Sequence, residues 1–160
     1  MRIGIYAVGR MKSGPEKELV SRYLERARAT SRPLGLSGFN VSEFGESRAG
    51  GAMARKNEEA GVLTKALPSQ GTVVTLDETG KSWSSAQFAD WISQLRADNI
   101  QALSFLIGGA DGFAPDFLSN ADFKLSFSPL TWPHQLVRIM LAEQLYRATT
   151  ILTGHPYHRA

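Results

Sequence analysis

Apolar positions along this chain fall into short runs separated by stretches of helical period. Arg2–Val8 (RIGIYAV) is a compact apolar run that reads as a strand. Pro15–Ala29 follows with Leu19, Val20, Tyr23, Leu24 and Ala27 at helical spacing, and Ser13 with Glu16 predicts a capping box at its start. Leu34–Phe44 alternates like a strand that its glycines weaken, and Gly45–Gly51 reads as a flexible connection. A charged helix is predicted from Ala52 to Leu67, then a turn at Pro68–Gly71. Thr72–Asp77 is an apolar run of the kind buried on both faces of a sheet. After the ETGK turn, Ser84–Arg96 carries a helical stripe of Phe88, Trp91, Ile92 and Leu95. Ala102–Ile107 and Phe123–Ser128 read as further strands, and a last helix begins near Pro133. Strands regularly spaced by helices predict an α/β fold: a mostly parallel sheet flanked by helices on both faces. Length predicts one domain over residues 1–160.

Composition narrows the chemistry. The chain has no cysteine, which excludes disulfides, thiolate metal sites and a cysteine nucleophile, and fits a cytoplasmic protein. The N-terminal apolar run is short, interrupted by glycine and followed by charge, so it reads as a strand and not as a signal segment. No run is long enough to predict a membrane helix. The formal net charge of +3 is a mild basic bias, equally compatible with a solvated surface and with a nucleic-acid partner.

In a sheet of this type ligands bind beyond the carboxyl ends of the strands. Three predicted strand ends carry chemistry: LDETG after Val74–Thr75, GGADG after Ile107, and SPLT after Phe127. Gly108, Gly109 and Gly112 permit close approach of backbone to a ligand. The turn lacks the GK[ST] ending of a phosphate loop, and no second glycine fingerprint follows Val8, which argues against nucleoside triphosphates and NAD. The last helix carries Leu136, Val137, Ile139, Met140, Leu141, Leu145 and Tyr146 nearly all round its wheel, predicting burial on more than one side. The second side is expected to be another subunit, the alternative being a central core helix. His134 and Arg138 are four apart on one face, and Arg138 on so apolar a helix needs phosphate, carboxylate or a backbone carbonyl. Glu143 and Arg147 read as a structural ion pair. The tail GHPYHRA concentrates His155, Tyr157, His158 and Arg159. Its histidines have no acidic partner nearby and no ligand spacing, so no metal is expected. The tail is either disordered or docked on a neighbour, supplying Tyr and His to a site.

Taken together, VTLDETGK, FLIGGADGF, LSFSPLTWPHQLVRIMLAEQLYRA and the closing PYHR resemble the SPOUT-class methyltransferases. More narrowly they are similar to the RlmH type, which methylates N3 of a pseudouridine in 23S ribosomal RNA. The resemblance spans the chain and is most specific from Leu76 onward. It implies a C-terminal trefoil knot, S-adenosyl-L-methionine as methyl donor, and a homodimer. It implies a cofactor pocket formed by Leu76, Gly108, Phe127, Ser128, Pro129, Leu130, Thr131 and Trp132. Catalytic candidates are His134, Arg138, Tyr157 and His158, with Tyr157 and Arg159 also placed to hold base or phosphate. Modest net charge points to RNA folded within the ribosome as substrate. Two alternatives stay open: a SPOUT enzyme acting on another rRNA or tRNA nucleotide, and a catalytically silent RNA-binding or ribosome-assembly factor.

Overall fold

The computed structural model describes residues 1–159. Five strands, β1 (Arg2–Val8), β2 (Ser37–Phe44), β3 (Thr72–Lys81), β4 (Ala102–Ile107) and β5 (Phe123–Leu125), form one sheet in the order β2-β1-β4-β3-β5. Every pairing is parallel. Five helices alternate with them: α1 (Pro15–Ser31), α2 (Ala52–Ala66), α3 (Ser85–Ala97), the short α4 (Pro115–Ser119) and α5 (His134–Leu152). The α/β fold with its parallel sheet and flanking helices is therefore as expected.

Both faces of the sheet are covered. On one, α1 and α3 pack against α5, and Val20, Leu24, Phe88, Ile92, Leu141 and Leu145 close over Ile3, Ile5, Leu103 and Phe105. On the other, Leu63 of α2 and Phe113 meet Val8 and Leu106. The central strand β4 is buried at all six positions, which is why it reads as an unbroken apolar run. The connections β1–β2 and β3–β4 join neighbours, whereas β2–β3 and β4–β5 skip across intervening strands. The ends of β4, β3 and β5 consequently lie side by side.

Several local expectations change. Pro15 occupies the start of α1, so Gly14 is its cap residue and no side chain caps it; the Ser13–Glu16 box does not form. A capping box forms instead at α3, where Gln87 N donates to Ser84 Oγ (3.2 Å) and Ser84 N donates to Gln87 Oε1 (2.9 Å). Helix α1 runs on to Ser31 and into a 3-10 turn at Arg32–Leu34, so β2 begins at Ser37. The last helix is a core helix of this protomer: α1 and α3 cover it, and of its large apolar residues Leu136 stands open at 41% exposure. Val137, Ile139 and Met140 on its remaining face stay half-buried.

The β3–β5 pair holds a close backbone contact beside these strand ends. Both Leu76 and Lys81 register with Leu125, so residues 77–80 loop out of the ladder. Ser126 then leaves β5, with its amide donating to Lys81 O (3.0 Å) and its buried hydroxyl reaching Glu78 O (3.2 Å). That departure ends β5 at Leu125, short of the expected Ser128. Gly80 lies directly on this backbone: a Cβ there would sit 2.7 Å from the Leu125 carbonyl carbon and 2.8 Å from that of Lys124. Gly80→Ala is expected to cost about 1–3 kcal/mol through overpacking against immobile main chain. Urea denaturation checks this, and a stability equal to the parent would mean the two segments separate freely.

Candidate active site

The three adjacent strand ends open into a cleft of about 890 Å³, a size suited to a small organic ligand. From β3 it is lined by Leu76 and the looped-out Asp77, Glu78 and Thr79; from β4, by Ile107 and the turn Gly108–Phe113. The segment after β5 contributes Ser126, Phe127, Ser128, Leu130, Thr131 and Trp132, and the start of α5 contributes His134 and Val137. The structure therefore brings together Leu76, Gly108, Phe127, Ser128, Leu130, Thr131, Trp132 and His134. Pro129 belongs to the same loop without lining the cleft.

Each wall is held by its own hydrogen bonds. Asp77 Oδ1 accepts from Thr79 N (2.9 Å), which shapes the β3 loop. Ser126 Oγ accepts from Ser128 N (3.2 Å), Ser128 Oγ accepts from Leu130 N (2.8 Å), and Thr131 Oγ1 donates to Glu78 Oε2 (3.1 Å). The two loops are thereby tied across the cleft. Leu130 and Trp132 keep 65% and 40% of their surface exposed, leaving apolar area open at the rim. Uncovered side chains of this size beside bare glycine backbone fit a flat ring with a polar edge.

The glycine turn is braced from α2 by residues that no local pattern singles out. Arg55 pairs bidentately with Asp111, Nε to Oδ2 at 2.6 Å and Nη2 to Oδ1 at 3.2 Å, and its Nη1 donates to Ala49 O (3.3 Å). The guanidinium hydrogen bonds hold the Asp111 carboxyl below its ordinary range. The buried Glu59 accepts from Ser47 N (2.9 Å) and lies against Gly109, where a Cβ would come 2.9 Å from its Oε2. These partners are distant in sequence, so no local pattern announces them.

A family model described as "Predicted SPOUT methyltransferase" matches residues 1–158. The chain belongs to the SPOUT methyltransferase family. It is 55% identical over 160 residues to the "Ribosomal RNA large subunit methyltransferase H" of Allorhizobium ampelinum, covering all of both chains. It is 53% identical over 160 residues to the protein of that name from Rhizobium meliloti, again over the whole of each. A solved structure of a probable methylase family protein from Haemophilus influenzae Rd KW20 aligns at 10% identity with a TM-score of 0.49, covering 99% of this chain and 70% of that one. So distant a likeness adds nothing to the family assignment.

Within this SPOUT chain the four catalytic candidates separate. His134 lines the cleft; Arg138 does not reach it, which corrects the expectation that it faces substrate. Its side chain is fully buried, with Nη1 paired to Glu43 and Nη2 donating to Gly9 O (3.0 Å), while Nε has no partner among the described residues. Burial lowers the guanidinium's proton affinity and the Glu43 carboxylate opposes that. Of the acceptors open to Arg138 from sequence, it uses a carboxylate and a carbonyl.

Tyr157 and His158 stand elsewhere. The Tyr157 ring lies 4.5 Å from that of Tyr146, its hydroxyl donates to Glu143 (3.0 Å), and Arg147 sits over its face at 4.9 Å. Arg147 also pairs with Glu143, as expected, and lies 3.3 Å from His158 Nδ1. Tyr146 is twelve residues beyond His134, about 18 Å along the helix axis at 1.5 Å per residue. Within one protomer the tail therefore packs on the far part of α5, and Tyr157 and His158 do not enter that protomer's cleft. Burial, reinforced by donation to Glu143, raises the Tyr157 phenol well above its ordinary value, making it a donor and no base. Arg159 is exposed.

Arg138→Met should destabilise the protein by about 3 kcal/mol by leaving Glu43 uncompensated. A double-mutant cycle with Glu43→Gln should give a coupling above about 1 kcal/mol. Additive losses would mean that the pair contributes nothing of its own.

Proposed function

We propose that this chain is an S-adenosylmethionine-dependent methyltransferase that methylates N3 of a pseudouridine in 23S ribosomal RNA. One observation carries the reading: a SPOUT chain opens its three adjacent strand ends into a single cleft, with a glycine turn, exposed Leu130 and Trp132, and His134 around it. The two curated relatives, named as large-subunit rRNA methyltransferases and alike over their full length, support the choice of RNA.

The residues present fit the cofactor. Leu76, Ile107, Leu130 and Trp132 offer apolar walls for an adenine ring, and the Gly108–Gly112 backbone offers polar groups unobstructed by side chains. When bound, S-adenosylmethionine supplies an electrophilic methyl group. The chain's own task is to orient the nucleophile and to handle its proton. N3 of pseudouridine is weakly acidic and must lose that proton for attack. His134, in the cleft at the start of α5, is the residue placed to accept it or to stabilise the developing anion. Trp132 and Val137 line the same end of the cleft and give it apolar surface.

The reading extends to the backbone and the assembly. The chain forms a trefoil knot in its C-terminal part; the skipping β4–β5 connection and the Gly80 contact with the β5 exit support that crossing. It acts as a single domain in a homodimer in the cytoplasm, on RNA within the ribosome. The packing of Tyr157 and His158 on Glu143 and Arg147, outside the lining of their own cleft, supports a tail that serves the partner's cleft. There Tyr157 donates a hydrogen bond, and His158 and Arg159 hold base or phosphate. A second cleft of about 420 Å³, lined by Leu19, Tyr23, Ile139 and Met140, leaves apolar surface for the partner.

Three outcomes check this. Mass-spectrometric nucleoside mapping of 23S rRNA from cells lacking and regaining the protein should show one methylpseudouridine lost and restored; an unchanged map would overturn the reading. Gly108→Val should weaken S-adenosylmethionine binding by at least about tenfold in calorimetry, since a Cβ at that position would lie 3.2 Å from the Gly112 carbonyl carbon. Deleting residues 157–160 should abolish turnover while sparing cofactor affinity, and retained turnover would remove the tail from the site.

A further inference from the structure

The connection between β1 and α1 stands beside the cleft without a role in the scheme above. Its segment Gly9–Gly14 reads GRMKSG, with two cations and no acid. Arg10 and Lys12 are exposed, whereas Met11 between them is 6% exposed and joins the core. Neither cation forms an ion pair among the described residues.

The backbone beneath them is fixed from three sides. Gly9 N donates to Phe44 O (2.8 Å), Gly9 O accepts from Arg138 Nη2 (3.0 Å), and Met11 N donates to Glu43 Oε1 (3.0 Å). A solvated loop that happens to be basic needs no such clamp. Here both partners of the Arg138–Glu43 pair hold it, so the backbone share of the ordering cost is already met before any ligand arrives. Position gives the clamp a purpose. A Cβ at Gly9 would lie 3.2 Å from His134 Nε2, so the loop abuts the imidazole that lines the cleft. Glu46 Oε1 lies 3.2 Å from the same point and bounds the cationic rim with the opposite sign.

We propose that Arg10 and Lys12 are a pre-organised contact for phosphates of the ribosomal RNA strand whose base enters the cleft. The proposal rests on the RNA methyltransferase reading and adds the surface that positions its substrate. Phosphate contacts fix register without reading sequence, which suits a rigid pair of cations at the rim of a site that handles one base. Glu46 turns the strand towards that pair by repelling it on the other side.

The test uses the full-length double variant Arg10→Ala/Lys12→Ala, with methyl transfer to ribosomal particles measured over a series of salt concentrations. KM should rise by about tenfold or more while kcat changes little. The slope of log(kcat/KM) against log salt should flatten by about 1.4 for two lost contacts. Cofactor affinity should stay at the parent value. The charge-preserving exchange Arg10→Lys/Lys12→Arg should restore most of the loss. A parental KM and salt slope in the alanine variant would overturn the proposal, as would an equal loss in the exchange variant, which would make the loop merely structural. A parent protein unable to methylate ribosomal RNA would overturn the underlying function instead.

Discussion

The arrangement of the site depends on one buried guanidinium. Arg138 sits in the second turn of α5 with no exposed surface, and it reaches the chain just beyond β1 and the end of β2 at once. Removing a cation from water costs several kcal/mol, so it persists only where partners are placed to receive it. Glu43 and the Gly9 carbonyl are those partners. They fix the rotation and the depth of the N-terminal turn of α5 against the sheet. His134, one turn earlier, is thereby set over Gly9 and into the cleft. The same bonds immobilise the β1–α1 loop, so His134 and the segment that carries Arg10 and Lys12 share one anchor.

A second constraint shapes the other side of the cleft. Gly80 lets the β3 loop rest on the main chain of β5, and Ser126 fills the hydrogen-bonding needs that the departing strand leaves behind. Contact of backbone with backbone cannot relax by rotamer change. The β3 loop and the Phe127–Trp132 segment therefore keep a fixed separation, and Thr131 and Glu78 bridge them. Pre-organised walls reduce what ligand binding must spend on ordering. The Arg55–Asp111 and Glu59–Gly109 contacts do the same for the glycine turn.

The strands and helices were largely legible because periodicity reports burial directly. Ala102–Ile107 reads as a two-sided buried strand and is one throughout, whereas Thr72–Asp77 is fully buried only at Val74 and Thr75. Reading failed where a nearby residue outranked the local pattern. Pro15 displaced the cap from Ser13 to Gly14, and Ser126 turned away from the ladder to bind the β3 loop. The apolar circumference of α5 was read correctly as burial on several sides. A helix wheel records that a face is covered and never by what: α1 and α3 cover part of it, while Val137, Ile139 and Met140 stay half-buried.

Element order, the glycine and proline marks at three strand ends, and the family motifs from Leu76 to His158 are written in the chain itself. Those are local in the chain, and local chemistry is what periodicity and motif report. Tertiary structure alone decided which residues meet. It moved Arg138 from substrate contact to internal clamp, packed Tyr157 and His158 on Glu143 and Arg147 outside the lining of their own cleft, and joined Arg55 to Asp111. Each of these turns on groups brought together from distant parts of the chain or on the register of α5 against the sheet. Such distances follow from packing, and no one-dimensional pattern encodes them.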